Sequence, residues 1–158
     1  MQQSFFEWLQ NTPLGVAVGE TWFPWVESTH VMFTAAVVGS ILAVDARLLG
    51  MGLKHLRITY VSKRILPLTW IAFAGAATTG SMLFMANATN YIHNTPFLVK
   101  MCLLAVLGLN MLYFHLVTFR NVDQWDTGRP SAGARTAGMI STVLWLAVIA
   151  FGRWIGFV

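Results

Sequence analysis

Charge is what this sequence has least of. Asp, Glu, Lys and Arg make up 10% of its 158 residues, against roughly a quarter in a soluble domain. The shortage is concentrated in four long apolar stretches, which exclude a water-soluble globule and predict a membrane-embedded chain. Cysteine is nearly absent too: Cys102 stands alone inside one of those stretches, so neither a disulfide framework nor a CxxC pair can form. There is no CxxCH for covalently attached c-type haem, no HExxH, no phosphate-binding glycine loop and no nucleophile–base triad. The N-terminus lacks the basic region and small-residue cleavage site of a removable signal. Ser4–Leu9 (SFFEWL) predicts instead a short amphipathic helix lying in the membrane interface.

What is present is apolar: 56% hydrophobic residues and a mean hydropathy of +0.63. Four spans are predicted at about residues 25–49, 65–86, 96–119 and 136–157, each with roughly the 20 residues needed to cross ~30 Å of hydrocarbon. Pro24, Pro67 and Pro96 stand near the starts of three of them, where a missing N–H costs least. Trp22, Phe23 and Trp25 mark an interfacial aromatic belt, and Trp154 anchors the last span. The expected fold is all-α, a single transmembrane domain over residues 1–158. It is a four-transmembrane-helix bundle with a short N-terminal amphipathic interfacial helix.

The net charge of +4 could suggest nucleic acid, but no basic–aromatic interleaving occurs in a polar domain, so none is expected. The basic residues carry a topology signal instead. Arg47, Lys54, Arg57, Lys63 and Arg64 flank the first loop, and Arg120, Arg129 and Arg135 the third. The N-terminal segment and the Asn87–Thr95 turn have neither lysine nor arginine. The positive-inside rule then puts both termini on the periplasmic side of a bacterial inner (cytoplasmic) membrane. Asn121–Ala134 is expected to be a polar, loosely packed loop on the cytoplasmic side. Ala35, Gly39 and Ala43, and again Ala72, Ala76 and Gly80, form stripes that suit close helix packing or leave room for a flat cofactor. Gly108, seven residues before His115, suits a flat cofactor as well.

Ionisable groups inside hydrocarbon are costly, so each is a functional candidate. His30 lies roughly 12 Å below Trp22 on the outer side, and His115 roughly 7 Å from the inner boundary. His93 falls in the outer turn and His55 in the inner loop. The four histidines therefore sort into an outer pair, His30 and His93, and an inner pair, His55 and His115. Two imidazoles from different helices are how b-type haem is held, so one or two haems b are expected. Packing or solvated histidines are the plainer alternative, and a single haem between His30 and His115 needs helix tilt to absorb a difference of roughly 10 Å in depth.

Glu27 and His30 form E-x-x-H on one helix face. With His93, and Met82 or Met85 nearby, they are candidates for a copper or zinc site; otherwise Glu27 orients His30 or is solvated. Lys100 either snorkels to the interface or pairs with Glu27 or a haem propionate. Arg47 is placed to face a propionate or a lipid phosphate.

Three runs carry a resemblance: VDARLLGMG at Val44–Gly52, ILPLTWIAFAGAATTGSMLF at Ile65–Phe84 and FLVKMCLLAVLGLNMLYFH at Phe97–His115. Over about Trp22 to His115 the chain resembles a family of small, mostly uncharacterised bacterial inner-membrane proteins with four helices. The resemblance implies the four-helix fold and puts His30 and His115 at family motif positions; it implies no reaction. The residues support three expectations. The first is a membrane b-type cytochrome-like electron-transfer protein, an oxidoreductase component passing electrons between a quinone pool or a cytoplasmic-side donor and an outer-side partner. The second is a copper-binding membrane protein with the outer Glu27–His30–His93 site. The third is a cofactor-free accessory subunit. Exposed small residues further predict a homo-oligomer or docking to a larger complex.

Overall fold

The computed structural model describes residues 2–157; Met1 and Val158, the ends of the expected domain, lie outside them. The regular elements among the described residues are all helices, with no strand among them. Helix α1 (Gln2–Gln10) is followed by a long α2 (Pro13–Leu48), then α3 (Ile58–Ala86). A single turn, α4 (Ala88–Tyr91), leads into α5 (Thr95–Gln124) and α6 (Ala132–Phe157). Four of these, α2, α3, α5 and α6, are long and apolar enough to cross a membrane.

The spans match the apolar runs, but the helices outrun them. Helix α2 starts twelve residues before the expected boundary at Trp25, and α3 takes in the basic residues Lys63 and Arg64. Charge ends a hydrocarbon crossing without ending a helix. The first extension contains a π turn at Val18–Trp22, directly before Pro24. Proline has no N–H for the helix ladder and crowds the carbonyl four residues back, and a widened turn absorbs that defect. Helix α2 ends at Gly50, whose φ of +70° is the left-handed conformation that closes helices. Asn94 caps α5 by accepting from the Phe97 N–H at 2.9 Å, and Ser131 caps α6 by accepting from the Ala134 N–H at 3.2 Å.

Both termini sit at one end of the bundle and both basic loops at the other. At the terminal end α1 packs on the turn: Gln10 accepts a hydrogen bond from the Thr89 hydroxyl at 2.8 Å, and Phe6 meets Phe84 edge-on. Phe5 and Trp8 stay exposed, as an interfacial helix requires. At the basic end the expected loose loop is in fact packed. Val122 and Trp125 are buried there with Val44, Leu48, Ile58 and Val61. Asp126 accepts from the Thr59 N–H at 2.9 Å and from the Thr59 hydroxyl, and its own carbonyl accepts from the Ile58 N–H at 3.2 Å.

Helix α2 packs along α3, α5 along α6, and α2 across to α6, while α3 and α5 scarcely touch. The bundle is therefore open along one seam. Elsewhere exposed apolar side chains such as Val31, Ile71, Leu109 and Leu146 make the lipid-facing surface.

Only one of the two small-residue stripes is at a helix contact. On α3, Ala72 is buried and a Cβ at Gly80 would come within 3.0 Å of His30 Cε1; beside the stripe, one at Gly75 would come within 2.6 Å of the Phe33 ring. These glycines are holes for large side chains of α2. On α2 itself, Ala35 and Gly39 are exposed, and Gly39 has open space around it.

Candidate functional site

The seam between α3 and α5 deepens into a cleft of about 230 Å³. Along α2 it runs from Val37 to Leu48, about 16 Å at the helical rise. Its walls are apolar and partly aromatic, with Trp70 and Phe73 from α3, Leu104 and Leu107 from α5 and Trp145 from α6. Polar groups converge at the end nearest the basic loops: Asp45, Ser62, Asn110, His115 and Ser141. A shallow groove at the other end, between Trp22, Trp25 and Met82, holds no ionisable group and belongs to the aromatic belt.

Asp45 is the cleft's buried carboxylate, 4% exposed. Hydroxyls of α6 hold it, Thr142 at 3.3 Å together with Ser141. Asn110 ties α5 to α6 by donating to the Ala137 carbonyl at 3.1 Å. In the sequence Asp45 is an ionisable group near the end of the first span, and nothing beside it marks it as part of a site. The signal that finds it is spacing: Asp45 lies four residues from Ile41 and three from Leu48, with Val37 a further four before Ile41, one face of a helix.

His115 lies in a second π turn, Phe114–Thr118, a distortion frequent at functional sites. Its Nδ1 is 2.9 Å from the Met111 carbonyl. A carbonyl only accepts, so Nδ1 donates here, and in the neutral imidazole Nε2 is the nitrogen free for a ligand. Phe114 and Phe119 pack against the ring and against each other, with centroids 5.4, 5.8 and 5.7 Å apart. Gly108 lines the same cleft, and a Cβ there would meet nothing within 4 Å. His115, seven residues further on, lines it too.

The other candidates lie elsewhere. His30 is half-buried, wedged against Gly80, its Nδ1 donating to the Ala76 carbonyl at 3.0 Å and reaching the Thr79 hydroxyl at 3.1 Å. It stands fifteen residues from Asp45 on the same helix, roughly 22 Å along the axis. Metal-bound imidazole nitrogens sit only about 2 Å from the metal, so His30 and His115 of one chain cannot share one iron. His55 and His93 are exposed at opposite ends, and no second imidazole lines the cleft.

Among the described residues no three His, Cys, Asp or Glu side chains are grouped to hold a metal ion. The expected Glu27–His30–His93 cluster is therefore not assembled: Glu27 and His93 both face outward while His30 turns in to α3. Lys100 lies one turn beyond Leu104, the outermost cleft residue on its helix, and packs on Gly152 of α6. Arg47 is turned to the two basic loops rather than to the cleft or the surface. It is 1% exposed, with Nε donating to the Leu56 carbonyl at 2.8 Å and Nη2 to the Asp126 carbonyl at 3.1 Å. A buried guanidinium needs acceptors on several sides, and the two basic loops supply them.

No curated protein and no solved structure matches the chain significantly. One family model does match, over residues 5–158, and the chain accordingly belongs to the family of unknown function DUF6644.

Proposed function

We propose that this chain is a b-type cytochrome-like electron-transfer protein of the bacterial inner membrane, with His115 as its ligand to one haem b set in the cleft. The observation that carries this is the His115 imidazole, its Nδ1–H pinned to the Met111 carbonyl on the wall of an aromatic-lined membrane cleft. Such a backbone hydrogen bond fixes tautomer and ring orientation in metal-bound histidines and raises the basicity of the other nitrogen. Gly108 leaves the neighbouring wall free for a flat ring, while Trp70, Phe73 and Trp145 keep water out.

Haem, when bound, supplies one-electron exchange inside the bilayer. The chain offers one axial nitrogen rather than a pair. The enclosed volume is below the ~300–1,000 Å³ of ordinary ligand pockets, so a macrocycle there would extend through the seam to lipid. The excess of basic residues in the two loops favours a cytoplasmic location for that end and periplasmic termini. The cleft then lies in the cytoplasmic half, within reach of a quinone or a cytoplasmic-side donor.

Expression with adequate haem supply should yield a purified protein with Soret and α-band absorption. His115→Ala should lose both bands, while His55→Ala, His93→Ala and His30→Ala keep them. A wild-type protein without these bands sinks the proposal, and loss on His30→Ala alone would move the ligand to the other end.

A further inference from the structure

His115 is a polar side chain on an apolar, uncovered surface. Between Lys100 and Arg120 helix α5 carries no Asp, Glu, Lys or Arg, and His115 stands five residues before Arg120, roughly 7 Å along the axis. The imidazole is exposed, with Nδ1 taken by the Met111 carbonyl. Its Nε2 has no hydrogen-bond partner among the described residues. The side chains around it are uncovered too: Met111, Leu112 and Leu116 are 41%, 51% and 58% exposed. Helix α3 does not close over them, because it scarcely touches α5. A polar atom without a partner at the level of hydrocarbon is costly, so a group from outside the chain is needed there.

A haem set against this face would find its site half built. Two imidazoles from different helices are how b-type haem is held, and no second imidazole lines the cleft. The space falls short as well. One cleft of about 230 Å³ lies below the ~300–1,000 Å³ of ordinary ligand pockets, whereas two such clefts facing each other lie within that range.

A second copy supplies both missing parts. Copies inserted the same way in a membrane are related by an axis along its normal, and a twofold axis sets one patch against the identical patch of the partner. Both His115 side chains then lie at the same depth, on opposite sides of the axis. Iron on that axis receives one nitrogen on each face. His30 and His115 of one chain, roughly 22 Å apart along the bundle, have no such relation. Nor does charge oppose the pairing. The cleft's carboxylate, Asp45, is 4% exposed and held back on the hydroxyls of α6.

We propose, resting on the reading of His115 as a haem ligand, that two copies of the chain meet across the open seam between α3 and α5 and share one haem b between their His115 imidazoles.

The test uses the full-length protein, expressed with adequate haem supply in two differently tagged forms and purified in micelles through both tags. A pair of wild-type chains should copurify with one haem per two chains. Its spectrum should be the six-coordinate, low-spin one of two axial imidazoles. A mixed pair of wild type and His115→Ala should either not assemble or carry five-coordinate, high-spin haem. Free imidazole added to an assembled mixed pair should restore the low-spin form, which separates a missing ligand from a misfolded variant. The shared site is overturned, with haem binding left standing, by any of three results: one haem per wild-type chain, wild-type chains that do not copurify, or a mixed pair that stays low-spin without imidazole. A wild type without haem overturns the haem reading itself and the shared site with it.

Discussion

Asp45 and Arg47 stand two residues apart near the end of α2, and the hundred-degree helical step sends them into different jobs. Asp45 turns into the cleft; Arg47 turns to the loops and donates to the carbonyls of Leu56 and Asp126. Without Arg47 the Leu56 carbonyl loses its donor, a loss of about 1–3 kcal/mol, while the Asp126 carbonyl keeps the Ile58 N–H, so Arg47→Met should destabilise the protein by roughly 1–3 kcal/mol. Thermal or denaturant unfolding checks this. Haem content per folded molecule should not change, because Arg47 does not touch the cleft. A loss of haem with normal stability would instead restore Arg47 to the site.

Packing between elements separates residues that share a sequence pattern. The stripes on α2 and α3 have the same four-residue spacing, yet only the α3 stripe meets another helix. Gly80 of that stripe accommodates the His30 ring, and Gly75, next to Ala76, the Phe33 ring. Gly75→Ala should therefore cost about 1–3 kcal/mol, the usual size of overpacking. Phe33→Ala in the same background should relieve the clash, a coupling that a double-mutant cycle reads directly. Gly39→Ala, in open space on α2, should be neutral or slightly stabilising, since alanine is the better helix former. Equal costs at Gly39 and Gly75 would mean that the α2 stripe is also covered, as it would be in a tight homo-oligomer.

For the molecule as a whole, the hydrogen bond from the Ile58 N–H to the Asp126 carbonyl ties the two basic loops together, so they must share one side of the membrane. Single cysteines introduced at Lys54 and Gly128 in a Cys102→Ser background should label alike with a membrane-impermeant thiol reagent. A cysteine at Thr89 should label oppositely. With the proposed orientation, only Thr89 is accessible from outside an intact cell; accessible Lys54 and Gly128 positions would invert the topology and put the cleft in the outer half.

Sequence alone determined that there are four spans, because a bilayer admits only helices whose backbone groups are satisfied internally and demands a run of about 20 apolar residues for each. It also set which loops share a side, through the placement of Lys and Arg, and it marked His115 as an ionisable group inside a span, with Gly108 seven residues before it. Helix ends were less legible: α3 begins seven residues ahead of the apolar run, because loop contacts around Asp126 hold its first turns. Tertiary structure alone decided which stripe is packed, which of Asp45 and Arg47 faces the cleft, and that His30 and His115 are too far apart to share one ligand. The physical reason is that spacing places side chains on a helix face, whereas the neighbour covering that face is chosen by packing among all four helices. Here that packing leaves α3 and α5 apart, and the open seam between them makes the cleft.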